Sequence, residues 1–151
     1  MKVAVLMGSA SDEAVMKNCE EGLNYFGIPF EKRILSAHRH PDEVAAYVRE
    51  AEKNGFELVI AGAGMAAHLP GVIASHTTLP VIGVPLEGSS LNGQDALYSI
   101  VQMPAGIPVA TVAIGKAGAK NAAVLAAEIL SLKYPELSQK LLDFRKAGAK
   151  F

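Results

Sequence analysis

Residues 3 to 7 read Val-Ala-Val-Leu-Met, an unbroken apolar run closed by Gly8. A strand with no polar face has to be covered on both sides, and the sheets that bury both faces of their strands are parallel ones flanked by helices. The next segments of the chain fit that demand. Asp12 opens a stretch in which Val15, Cys19, Gly22, Leu23 and Phe26 recur on one helical face, and Gly27 stops it. Phe30 to Leu35 reads as a second strand. Pro41 then sits near the first helical position, Val44, Tyr47, Val48 and Ala51 share a face, and Gly55 comes after them. Leu58 to Ala61 and Pro80 to Val84 read as further strands, with a helix from Leu69 to His76 between them. Gln94 to Gln102 is a helix and Val109 to Ile114 a fifth strand. Asn121 to Leu132 is apolar on nearly every face, which predicts a helix covered on more than one side, by its own domain or by another subunit. Pro135 starts a final helix, about 135–147, with a short tail after it.

Strands alternating with helices at this spacing define an α/β fold with a doubly wound parallel sheet in three layers and right-handed crossovers. At 151 residues one domain, 1–151, is the expectation. Half the residues are hydrophobic and 19% are charged, a globular balance. Net charge is −1, and no basic patch speaks for a nucleic-acid partner. No apolar run approaches a membrane span, and Met1-Lys2 leads straight into strand rather than into a signal peptide, so a cytoplasmic location is expected. The lone Cys19 lies on the apolar helical face, which makes it a core residue rather than a nucleophile.

Ligands on such sheets sit at the carboxyl ends of the strands. Four loops therefore matter: Gly8 to Asp12, Ser36 to Pro41, Gly62 to Pro70 and Pro85 to Gly93. The first joins strand to helix, so its N–H groups face a position favourable to phosphate, with the Ser9 and Ser11 hydroxyls as added donors. Asp12 suits sugar hydroxyls; helix capping by Ser11 or Asp12 is the plainer alternative. In the second loop, Ser36-Ala37-His38-Arg39-His40-Pro41, a group titrating near neutrality stands beside a permanent cation. Arg39 suits an anion and His38 a proton transfer, whereas His40 reads as an exposed helix-start residue. In the third, Ala63, Gly64 and Ala66 are small enough for the backbone to approach a ligand, with tight turn packing as the alternative. His68 is either a second polar contact or a structural histidine, and His76 has no chemical role. The dinucleotide fingerprint and the Walker pattern are both missing, which speaks against a large nucleotide cofactor.

With those loops in view, the chain resembles the N5-carboxyaminoimidazole ribonucleotide mutases of de novo purine synthesis, over nearly its whole length. The marks are Met7-Gly8-Ser9 with Ser11-Asp12; Ser36-Ala37-His38-Arg39; Ala61 to Gly64 with Ala66-Ala67-His68-Leu69-Pro70-Gly71; Leu79 to Pro85; and Ser99 to Pro104. The resemblance implies a homo-octamer of flavodoxin-like subunits with sites at subunit contacts, no metal and no organic cofactor. It further implies an isomerase on the route to IMP that moves a carboxylate from the exocyclic nitrogen to C4 of the imidazole. On this resemblance His38 is the proton-transfer residue, and Ser9, Ser11 and Asp12 contact the ribose phosphate, with Arg39 as its cationic partner. Ser36 and Ala37 complete that loop's contribution to the substrate site, while Ala63, Gly64, Ala66, His68 and Leu69 line the carboxylate end. An ATP-dependent carboxylating enzyme is the implied functional partner. The chain departs from the pattern twice: Met65 stands where the family usually has a second glycine, and His40 where it usually has threonine.

Three rivals remain at the level of sequence. One is a carboxylase that takes CO2 and aminoimidazole ribonucleotide directly. Another is a paralogue acting on a different heterocyclic ribonucleotide, marked by Met65. A third, of another class, is a nucleotide-binding module with no need of His38.

Overall fold

The computed structural model describes residues 1–151. Strands β1 (Val3–Met7), β2 (Phe30–Ile34), β3 (Leu58–Gly64), β4 (Val81–Leu86) and β5 (Ala110–Thr111) form one sheet in the order β2-β1-β3-β4-β5. Every neighbouring pair is parallel. Between and after them run α1 (Glu13–Phe26), α2 (Pro41–Arg49), α3 (Leu69–Ala74), α4 (Gln94–Val101), α5 (Gly115–Ser131) and α6 (Pro135–Lys146). This strand order is that of the flavodoxin-like fold, whose ligand crevice opens where β1 and β3 part to opposite sides.

Alternation along β1 distributes its side chains to two cores. Val3, Val5 and Met7 pack with Leu23, Phe26 and the alanines of α5. Ala4 and Leu6 face Val44, Val48 and Ile73 on the other side. The expected three-layer arrangement is thus present, with all five residues of β1 buried. Cys19 is fully buried, and burial pushes its thiol up to about 12. That places it in the core, as its spacing implied. No helix is long and apolar enough to cross a membrane.

Several element limits differ from the expectation, each for a local reason. α5 begins at Gly115, ahead of Asn121, although glycine is a poor helix former. Gly115 opens the helix at φ +73°, a left-handed conformation that glycine adopts without strain, and within the first turn a Cβ on Gly118 would lie 1.6 Å from the Ala113 carbonyl oxygen. β5 covers only Ala110–Thr111 because its pairing with β4 is confined to Ile82 and Gly83. β4 continues to Leu86, and Pro85 is accommodated beyond that short overlap. α3 ends at Ala74 in a turn where the Ser75 hydroxyl donates to the Val72 carbonyl. β2 is an edge strand carrying Lys32 and Arg33 outward, paired to Glu13, Glu20 and Glu31, the kind of charged edge that resists strand addition. At the far end of the chain Phe151 folds back to stack on Tyr25.

Candidate functional site

At the carboxyl edge of the sheet the first three loops, with Gly88 from the fourth, enclose a cavity of about 390 Å³. It is lined by Gly8, Ser9, Ser11, Asp12, Ser36, Ala37, His38, Arg39, Ala63, Gly64, Met65, Ala66, His68, Leu69 and Gly88. All twelve candidate residues from the sequence are in that set. Gly8, Met65 and Gly88 also line it without having been candidates; the absence of side chain at the two glycines leaves only the loop position as a signal. His40 and His76 stand outside. His40 caps α2 in position only, making no side-chain cap bond, and His76 lies near Arg49 at 3.5 Å. A second cavity, near Lys120, Arg145 and Phe151, shares no residue with this site.

In the first loop the Ser9 side chain accepts from the Ser11 backbone N–H at 3.3 Å and from the Ser11 hydroxyl at 2.9 Å. Asp12 Oδ2 accepts from the Ser9 N–H at 3.0 Å, closing a capping box. Capping therefore engages both serines as well as Asp12, with Ser9 rather than Ser11 or Asp12 as the N-cap residue. The cost of burial raises the Asp12 carboxyl above its ordinary value, against the pull of the Ser9 and Gly8 backbone groups. In the second loop Ser36 shapes the turn: its hydroxyl accepts from the Arg39 N–H at 3.3 Å, and its carbonyl from the His40 N–H at 2.8 Å. That turn lifts His38 and Arg39 to the surface of the cavity, and both are exposed.

The third loop brings His68 against His38. His38 Nε2 and His68 Nδ1 are 2.6 Å apart, with the rings edge to face at 85°. His68 starts α3 without spending its side chain on a cap, which leaves the ring available. A hydrogen bond between two ring nitrogens needs one proton between them, one ring donating and the other accepting. Such a bond gives a proton a direct path from one ring to the other. The two rings form a hydrogen-bonded imidazole pair at the mouth of the sheet, with the Arg39 cation in the same loop as His38. His68, which the sequence left between two roles, is a direct partner of His38.

Met65 turns the chain between β3 and His68 at φ +56°, one of the few non-glycine residues in the left-handed region. That conformation costs a side-chain-bearing residue roughly 1–2 kcal/mol. No three His, Cys, Asp or Glu side chains converge in the chain as a metal ligand set.

Fold and cavity together define a flavodoxin-like α/β protein built to hold a small polar ligand at its strand ends, beside an imidazole pair and a cation. A family model described as AIR carboxylase matches residues 2–150. The N5-carboxyaminoimidazole ribonucleotide mutase of Saccharolobus solfataricus is 59% identical over 143 residues, 95% of this chain and 89% of that protein. Its counterpart in Escherichia coli K12 is 54% identical over 146 residues, 97% of this chain and 86% of that one. The crystal structure of Treponema denticola PurE superposes with a TM-score of 0.88 at 34% identity, covering 98% of this chain and 91% of that one. A 3-dehydroquinate dehydratase-like protein of Bifidobacterium longum, at 19% identity and a TM-score of 0.54, shares the fold alone. The chain belongs to the AIR carboxylase family.

Proposed function

We infer that this protein is an N5-carboxyaminoimidazole ribonucleotide mutase, an isomerase that converts its substrate to 4-carboxy-5-aminoimidazole ribonucleotide in de novo IMP synthesis. The observation that carries the chemistry is the 2.6 Å contact of His38 with His68 inside a cavity shared with Arg39 and the Ser9 loop. In this reading the ribose phosphate lies against Ser9, Ser11 and Arg39, Asp12 accepts from the sugar hydroxyls, and Ser36 and Ala37 wall the second loop. Ala63, Gly64, Ala66 and the backbone of His68 and Leu69 hold the carboxylate end.

The reaction then needs one proton in and one proton out. His38 protonates the exocyclic nitrogen as the N–C bond of the carbamate breaks, releasing CO2 and leaving aminoimidazole ribonucleotide. C4 attacks the retained CO2, forming the new C–C bond, and His38 removes the proton from C4. Atoms and charge balance with no external reagent: His38 gives up a proton in the first step and regains one in the second, with His68 hydrogen-bonded to its ring. Holding CO2 beside C4 replaces a bimolecular encounter with a local one.

In the single chain His38, Arg39 and His68 are exposed, whereas retaining CO2 calls for cover. Exposed apolar residues, among them Tyr98 and Val101 three apart on α4, favour assembly with further copies. Both points support a homo-octamer with sites at subunit contacts, working in the cytoplasm on a ribonucleotide made by an ATP-dependent carboxylating enzyme. No nucleic-acid or membrane partner and no metal or cofactor enters this reading.

The family description favours a second reading, direct carboxylation of aminoimidazole ribonucleotide by CO2. The deciding assay gives purified protein either the freshly made carbamate or aminoimidazole ribonucleotide with modest bicarbonate. Fast conversion of the first alone is the expected result. Efficient use of the second at low bicarbonate assigns the carboxylase, and conversion of neither overturns both.

A further inference from the structure

The left-handed turn at Met65 lies between two closely packed segments. Gly64 closes the β3 ladder opposite Leu86, and a Cβ there would already lie 3.2 Å from the Leu86 carbonyl oxygen. Downstream, the His68 N–H donates to the Ala66 carbonyl at 2.7 Å, Ala67 is buried, and α3 begins at Leu69. Glycine would meet this geometry without strain. The methionine side chain returns nothing to the core in exchange, being 60% exposed and packed in neither hydrophobic cluster. It stands instead on the wall of the cavity that holds His38 and His68. The remaining apolar lining consists of alanines and of Leu69, which is only 2% exposed. Met65 is therefore the one large apolar side chain that the cavity offers to a ligand.

We propose that Met65 is a substrate-contacting, specificity-determining residue, whose thioether packs on the face of the bound heterocycle and screens the reacting end from water. The inference rests on the ribonucleotide reading of the cavity. Its chemistry comes from the ligand's own polarity. A phosphate and a carboxylate are satisfied by Arg39, hydroxyls and backbone N–H groups, but the flat face of an imidazole between them needs an apolar partner. A flexible, polarisable sulfur side chain supplies one. A strained backbone at a ligand wall is also the setting in which local strain is kept for function.

Two variants separate the side chain from the strain: Met65→Ala removes the thioether and keeps the left-handed turn burdened, while Met65→Gly removes both. The octameric or other native assembly is assayed with the carbamate for KM, kcat and the fraction of turnovers that release free aminoimidazole ribonucleotide. Both variants are expected to raise KM about tenfold, the scale of one lost apolar contact. Both should also release more of the free ribonucleotide, and Met65→Leu should restore most of the affinity. Wild-type KM and partition in the two truncations overturn the proposal. So does an effect confined to Met65→Gly, which would assign it to loop freedom, or loss of assembly in both, which would assign Met65 to contact between copies. Wild-type protein inactive on either ribonucleotide overturns the reading of the cavity, a result distinct from all of these.

Discussion

The facing nitrogens of His38 and His68 stand 2.6 Å apart, within hydrogen-bond distance, so a change at one ring bears directly on the other. Replacing His38 with Asn keeps a polar group in the turn and removes the titrating one. Turnover is expected to fall by at least ~100-fold, the usual contribution of a positioned acid-base group, with substrate affinity nearly unchanged in a binding titration. Unchanged turnover would take His38 out of the reaction and favour a binding module. The candidacy of His38 and Arg39 was legible from adjacency in the chain, one titrating group beside one cation. The contact of His68 was not, because its partner stands 30 residues away and only the parallel pairing of β2 and β3 on the two sides of β1 brings the second and third loops together. The strain at Met65 was equally invisible, since φ belongs to the folded turn.

Among the elements, α5 shows how packing overrides propensity. Ala119, Ala122, Ala123, Ala126 and Ala127 are all buried, and the short side chains let α5 lie close on α1, where a Cβ on Gly22 would meet Ala123 at 2.6 Å. Gly118→Ala has nowhere to put its methyl against the Ala113 carbonyl, and the blocking atom is backbone that no rotamer change can move. A loss on the order of 3 kcal/mol is expected in denaturant unfolding, and a midpoint equal to wild type would mean α5 shifts freely at its start. The linker between α5 and α6 is held differently. Glu57 accepts from the Tyr134 hydroxyl and pairs with Lys133 and the N-terminal ammonium. The Tyr134 bond, then Lys133 and the terminus, hold its carboxyl below the ordinary value of 4.5 despite some burial. A folded-state pKa below the unfolded one makes the stabilisation complete above the unfolded value and removes it as pH falls through the folded value. Glu57→Gln should therefore lower Tm at neutral pH by about 2–4 °C and flatten the acid side of the stability profile. A variant that keeps the wild-type acid slope would show that other carboxyls govern it.

For the whole molecule, the open site and the exposed Tyr98, Leu91 and Leu132 set the expectation of assembly. Light scattering should give a mass about eight times the chain's 15.8 kDa, and Tyr98→Glu, a charge beside the exposed Val101 on α4, should shift it to smaller species. A monomer of full activity would overturn the octameric reading. The sequence by itself determined the layered architecture, because an apolar run such as Val3 to Met7 is stable only when covered on both faces and its neighbours repeat at helical spacing. It also determined which loops line the cavity, since strand direction in a parallel sheet puts every strand's carboxyl end on the same edge. What the tertiary structure alone decided was relation. β3 pairs with β4 through Gly64 and Leu86 right up to the left-handed turn at Met65, Ala123 of α5 closes on Gly22 of α1, and the strand order places His68 on His38. Each depends on contacts between residues far apart in the chain, which local spacing does not encode.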